Sequence, residues 1–191
     1  MEFEQLKIKD VVLIKPNVFE DERGHFFESY QANKYYEASF NINSTEWPPN
    51  PSHFIQENVA YNSDENIIRG LHFQKRNSQG KLVRVTNGGV LDVVVDNRRE
   101  SESYGDWLSV ELNDTNNYSL WIPPGFAHGY RTLTKNSTMI YKCTNLYDPK
   151  DEEGFDPFDK SLKIVWGIPK KNAILSKKDL GWPEFPGWRI N

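Results

Sequence analysis

The chain has 191 residues, with 11 prolines, 12 glycines and an aromatic content of 14%. That length suits one domain with a sizeable core, and many aromatics among frequent turn residues fit a β-rich globule better than a helical bundle. A net charge of −4 excludes general affinity for nucleic acid or for acidic membranes, both of which need a basic surface.

From the N-terminus, MEFEQLKIKDVVLIKP has no basic segment leading into an apolar one, and no run of 18 apolar residues follows anywhere. A cytoplasmic protein is therefore expected. Short β-branched and apolar runs closed by turn residues predict strands at DVVLIKP (10–16), HFFESY (25–30), HFIQENVAYN (53–62), IIRGLHFQ (67–74) and KLVRVT (81–86). The series continues with GVLDVVVD (89–96), WLSVEL (107–112), YSLWIP (118–123), HGYRTLT (128–134) and TMIYKCTNLY (138–147). This spacing predicts a sandwich, jelly roll or closed barrel.

Between these runs, ANKYYEASF (32–40) predicts two helical turns with Tyr36 and Phe40 on one face, and NSTEWPPNPS (43–52) reads as a surface loop. NGG (87–89) predicts a tight hairpin turn. SKKD (176–179) resembles a helix start, with Ser176 as cap and Asp179 three residues on. The expected organisation is one domain over 1–191, with the last 25 residues packed onto it.

Alternation assigns side chains to faces. Asp92 shares its side of GVLDVVVD with Val90, Val94 and Asp96, so it is either an edge charge or a polar group inside a barrel. Met139, Tyr141, Cys143, Asn145 and Tyr147 share a mixed face that fits a ligand pocket, although tyrosine is also a common core residue. Cys143, the only cysteine, excludes a disulfide framework and a cysteine-based zinc site, and its strand setting makes it a core thiol.

The stretch RGLHFQKRNSQGKLVR (69–84) concentrates Arg69, His72, Lys81 and Arg84 in a predicted hairpin, either exposed or forming the wall of a polar pocket. The four histidines, His25, His53, His72 and His128, include no H-x-H pair of the kind a metal-dependent β-barrel presents, although distant histidines remain available to a metal. No nucleophile elbow, P-loop or dinucleotide fingerprint is present. His128 reads as a rim residue, and Asp179 has the alternative reading of a carboxylate favoured by a helix N-terminus. Residue chemistry alone gives a polar-lined β-barrel pocket with His72 as candidate base.

RGLHFQ, QGKLVRV, VLDVVVDNRRESESYGDWLSVEL, LWIPPGFAHGY, YKCTNLYDP and ILSKKD, in that order and after FEDERGHFFESY (19–30), resemble the dTDP-4-dehydrorhamnose 3,5-epimerase family over nearly the whole chain. The resemblance implies a mainly β, cupin-type jelly roll (a double-stranded β-helix) with a few short helices. It also implies a homodimer that works without metal or cofactor on a nucleotide-diphosphate sugar, a 4-keto-6-deoxyhexose. Carried over by motif, His72 is the base, Asp179 holds its ring, Lys81 stabilises the enolate and Tyr141 is the acid. Arg23 and Arg69 are implied diphosphate contacts. Phe19, Glu28, Gln56 and Asn58 match nucleotide and sugar contacts, Tyr147 lines the sugar pocket, and His128 with Asp92 matches inside the barrel. The chain departs from the family pattern at GFDPFDKSLKIVW (154–166), where only Asp159 and Trp166 align comfortably. A single-carbon epimerase is the nearest rival reading. A metal-dependent cupin and a non-catalytic sugar-binding jelly roll are rivals from other classes.

Overall fold

The computed structural model describes residues 1–38 and 54–187. The expected 43–52 loop, His53 and Phe40 lie outside the described residues. Four short strands open the chain: β1 (Glu2–Gln5), β2 (Val12–Lys15), β3 (Val18–Asp21) and β4 (Gly24–Phe27), followed by helix α1 (Ala32–Ala38). Next come β5 (Gln56–Asn62), β6 (Ile68–Gln74), β7 (Lys81–Asn87), β8 (Gly89–Asp96) and β9 (Trp107–Asn113). The series ends with β10 (Ser119–Ile122), β11 (Phe126–Thr132), β12 (Ser137–Cys143) and β13 (Glu152–Gly154). Each of the ten predicted runs carries one of these strands. β1, β3 and β13 were not foreseen, because each is a polar or very short segment whose pairing comes from its neighbours rather than its own pattern.

The strands form two facing antiparallel sheets, ordered β1-β2-β10-β7-β12-β5 and β13-β6-β11-β8-β9, with β3 and β4 as a separate hairpin. Inward residues of both sheets, among them Val83, Val85, Val90, Val94, Leu120, Phe126 and Met139, make the core between them. The outer face of the five-stranded sheet buries Ile68, Leu71, Val93 and Val95 under Phe155, Leu162, Trp166 and Phe185 of the C-terminal segment. Helix α1 covers the outer face of the other sheet, setting Tyr35 and Ala38 against Val12, Ile14, Leu82 and Trp121. Thus Tyr35 is the buried tyrosine of α1, and Tyr36 points to solvent.

Two turn predictions need correction. The 69–84 stretch is not a hairpin: β6 and β7 belong to opposite sheets, so the residues between them cross from one layer to the other. The NGG turn likewise joins β7 to β8 across the layers, with Gly88 at φ +73. Sequence-adjacent strands paired in different sheets are what a jelly roll requires, and local turn chemistry does not distinguish a hairpin from such a corner. The predicted helix start at SKKD is a single 3-10 turn over Asp179–Gly181.

Candidate active site

A β-bulge builds the first wall. On β11, the step from His128 to Tyr130 is matched on β6 by the longer step from His72 to Arg69. The extra residue is Gly70, at φ +117, a backbone conformation that favours glycine. Strict alternation would put Arg69 and His72 on opposite faces. The bulge turns both inward, while Ile68 and Leu71 join the outer core.

The second wall comes from the six-stranded sheet. β7 sends Val83 and Val85 inward and Leu82 outward, so Lys81 faces the interior. Arg84 falls on the outer side, its guanidinium 5.8 Å from the centre of the Phe27 ring. The four charges of the 69–84 stretch therefore divide between the two faces, and Arg84 is no part of the pocket. On β12, Tyr141 and Cys143 lie opposite Val83 and Lys81 of β7. Between the walls is a cavity of about 270 Å³, lined by His72, Lys81, Tyr141, Gln56, Asn58 and Tyr147, with Phe73, Gln74, Gln79 and Glu152.

Asp179 stands behind His72, its Oδ1 2.5 Å from the ring Nε2. A carboxylate only accepts, so this contact fixes the proton on Nε2 and leaves the lone pair of Nδ1 free. Ser176 holds Asp179 in place: its hydroxyl donates to Oδ2 at 2.8 Å and accepts the Asp179 backbone N–H at 3.0 Å. Burial would raise the Asp179 carboxyl, but the hydrogen bonds from His72 and Ser176 outweigh it and hold the group below the usual range. The Trp182 ring packs edge-on at 5.9 Å from the imidazole and limits its rotation.

Burial lowers the Lys81 ammonium from its ordinary range, partly offset by the fields of Cys143, Glu152 and Asp92. Burial pushes the Tyr141 phenol up to about 12, so it holds its proton at neutral pH. It also raises the Cys143 thiol, in keeping with a core thiol and not a nucleophile. Asn58 donates weakly to that sulfur at 3.6 Å and accepts from Gln56, whose own carbonyl accepts the Tyr147 backbone N–H.

The remaining predicted residues are not among those that line this cavity. Arg69 is exposed and braced on Asn62 Oδ1 and the Tyr61 carbonyl. His128 is buried, with its Nε2–H donating to Asp92 Oδ2 at 2.9 Å inside the barrel. Phe19 and Arg23 sit on the exposed β3–β4 hairpin, where Arg23 pairs with Asp21, and Glu28 just after it pairs with Lys34. None of these three lines the cavity. The hairpin packs near Arg84 and Thr86, on the far side of the six-stranded sheet. Among the described residues, no three His, Cys, Asp or Glu side chains converge as metal ligands, and no helix is long and apolar enough to cross a membrane.

A sequence profile of dTDP-4-dehydrorhamnose 3,5-epimerase matches residues 5–186. The chain belongs to the dTDP-4-dehydrorhamnose 3,5-epimerase family. A relative of that name from Pseudomonas aeruginosa is 42% identical, over 94% of this chain and 93% of its own. The crystal structure of the epimerase from Elizabethkingia anophelis superposes with a TM-score of 0.86 at 39% identity, covering 97% of this chain and 96% of that one. The epimerase from Legionella pneumophila, solved in complex with dTDP-4-keto-L-rhamnose, gives 0.85 at 37% identity, with coverages of 96% and 92%. The two facing sheets are therefore the cupin-type jelly roll expected of this epimerase family.

Sequence reasoning missed two charged groups of the site. Glu152 lines the cavity from β13, its Oε2 accepting from the Tyr147 hydroxyl at 2.5 Å and from the Lys178 ammonium. In the sequence it sits within DPKDEEG, an acidic run that reads as a solvated loop. Lys178 belongs to the SKKD segment, in which only the serine and the aspartate stood out.

Proposed function

We propose that this chain is an isomerase that epimerises dTDP-4-dehydro-6-deoxy-D-glucose at C3 and C5, giving dTDP-4-dehydro-L-rhamnose. The observation that carries this reading is that His72 and Tyr141 reach one cavity from opposite sheets, with Lys81 beside them. An epimerase needs a base on one face of the sugar ring and an acid on the other.

Protons at C3 and C5 are both α to the C4 ketone. His72 Nδ1 takes one, the C–H electron pair moves into the ring to form the enol double bond, and the carbonyl pair moves onto O4. The Lys81 ammonium stabilises that enolate oxygen, in the manner of an oxyanion site. As the carbonyl re-forms, Tyr141 delivers its phenolic proton to the same carbon from the opposite face. The imidazolium and tyrosinate then return to their starting states by exchange with solvent, and the cycle repeats at the second carbon. Positioned proton transfer contributes about 10²–10⁴-fold, so enolate stabilisation and orientation must supply much of the rest.

Arg69, at the edge of the site, suits the diphosphate, because its guanidinium fork matches phosphate oxygens. Gln56, Asn58 and Tyr147 suit the sugar and the nucleotide. Phe19, Arg23 and Glu28 cannot serve their own cavity from behind the sheet. Their exposure supports a homodimer in which the hairpin completes the partner's nucleotide site. Phe19 and Phe26, paired across the hairpin, leave 64% and 73% of their surface exposed, an apolar face that a second copy would cover. A nucleotide-linked substrate and one unpaired buried cysteine support action in the cytoplasm.

Incubation with dTDP-4-keto-6-deoxyglucose in deuterium oxide tests the reading, with label located by mass spectrometry and NMR. Deuterium at both C3 and C5, absent in His72→Ala, is expected. Label at one carbon only would replace it with a single-carbon epimerase. No label from folded protein would remove this substrate.

A further inference from the structure

Two carboxylates flank the imidazole of His72, and only Asp179 has a part in the proton transfer described above. Glu152 Oε1 lies 3.8 Å from Nδ1, the nitrogen that carries the free lone pair. That separation is too long for a hydrogen bond, so Glu152 acts on the ring through its charge. Its geometry is fixed from the other side, because Oε2 is held by the Tyr147 hydroxyl and the Lys178 ammonium. The Glu152 side chain is only 9% exposed, which limits solvent screening, whereas Lys178 is 49% exposed.

We infer that Glu152 is a positioning residue that tunes the proton affinity of the His72 base, with Lys178 as the counter-ion that masks it. This deepens the proposed acid–base role of His72 and rests on it. When His72 takes a proton, the imidazolium lies between Asp179 on Nε2 and Glu152 beside Nδ1. An opposite charge at this range favours the protonated ring. Lys178, bonded to the same carboxylate, cancels part of that field. The ring therefore senses the balance between Glu152 and Lys178, not the carboxylate alone.

The other groups facing His72 are left unsubstituted in such a comparison. Asp179 and Trp182 come from the C-terminal segment, and His128 with Asp92 from the adjoining strands β11 and β8. Lys81 and Tyr141 come from the opposite sheet, and Tyr147 from the segment after β12.

The test is an NMR titration of the histidine ring resonances in the full-length, substrate-free protein, with His72 assigned from a His72→Gln spectrum. Relative to wild type, Glu152→Gln should lower the His72 midpoint by about one pH unit. Lys178→Met should raise it by about half a unit, because the same carboxylate is unmasked. The double variant should lie between the two single variants, because the direct field of the Lys178 ammonium on the ring is removed together with that of the carboxylate. Glu152→Asp keeps the charge but withdraws it by one methylene, and should give an intermediate midpoint; it carries the test if the glutamine variant does not fold. Shifts in the same direction for Glu152→Gln and Lys178→Met, or no shift in the first, would overturn the inference. The titration needs no turnover, so a failed substrate assignment, seen by deuterium incorporation, remains separate from a failed tuning role.

Discussion

Gly70 and Gly129 meet backbone to backbone where β6 pairs with β11, leaving no room for a side chain between them. A Cβ on Gly70 would lie 2.5 Å from the Gly129 Cα and 2.6 Å from the His128 carbonyl oxygen. Gly70 also holds φ +117, where any other residue is strained. A strained backbone costs about 1–3 kcal/mol, and overpacking costs a similar amount. Gly70→Ala should therefore lower the urea midpoint. Because the bulge aims His72, it should also slow deuterium incorporation at least tenfold in the fraction that remains folded.

That bulge marks the limit of what the sequence shows. Strand positions are legible because apolar runs closed by turn residues are a local property, but DVVLIKP and GVLDVVVD are buried on both faces, so neither declares which side turns inward. Alternation puts Asp92 on one side with Val90 and Val94 but leaves open whether that side is an edge or the interior, and the structure decides for the interior. Which strands share a sheet is not local. The 69–84 and 87–89 corners look like hairpins until the layers are seen. Arg69 and His72 face the same way only because one residue is extra on β6, and no pattern in RGLHFQ announces that beyond the glycine itself. Glu152 is hidden for another reason: its strand is three residues long and polar, and it exists because β6 offers it an edge.

The Asp179–His72 contact makes a kinetic prediction. Asp179→Asn replaces an obligate acceptor with an amide that can donate to Nε2. The ring can then settle in the other tautomer, with its proton on Nδ1, the nitrogen that acts as base in the proposed mechanism. Substrate exchange should fall by roughly 10²–10⁴-fold, with affinity for dTDP, read by calorimetry, unchanged. Ser176→Ala, which removes only the support for Asp179, should show a smaller loss of the same kind. Equal losses in the two would mean that the serine does more than hold the carboxylate.

His128 and Asp92 form a pair buried between the sheets, and Asp92 Oδ1 has no hydrogen-bond partner. Removing the histidine strands a carboxylate in the core, which typically costs about 3–5 kcal/mol. His128→Leu should therefore be strongly destabilised in urea unfolding. Adding Asp92→Leu should recover part of the loss, because an apolar pair needs no partners. A double variant no more stable than His128→Leu alone would show that the carboxylate is not the source of the cost.

Lys81 predicts the alkaline side of the activity profile. In the proposed mechanism the enolate needs the charged ammonium, and burial lowers the pH at which that charge is lost. As pH rises through this lowered value, the active form disappears, so incorporation should decline earlier than an exposed lysine would allow. Tyr141 is not the cause, since burial pushes its phenol up to about 12. Arginine stays charged throughout the accessible range. In Lys81→Arg the alkaline limb should accordingly move to higher pH, although the planar fork fits the lysine site poorly and should lower the maximum rate by about tenfold or more. A limb that stays in place in the arginine variant would assign the alkaline loss to another group and leave Lys81 as a binding contact only.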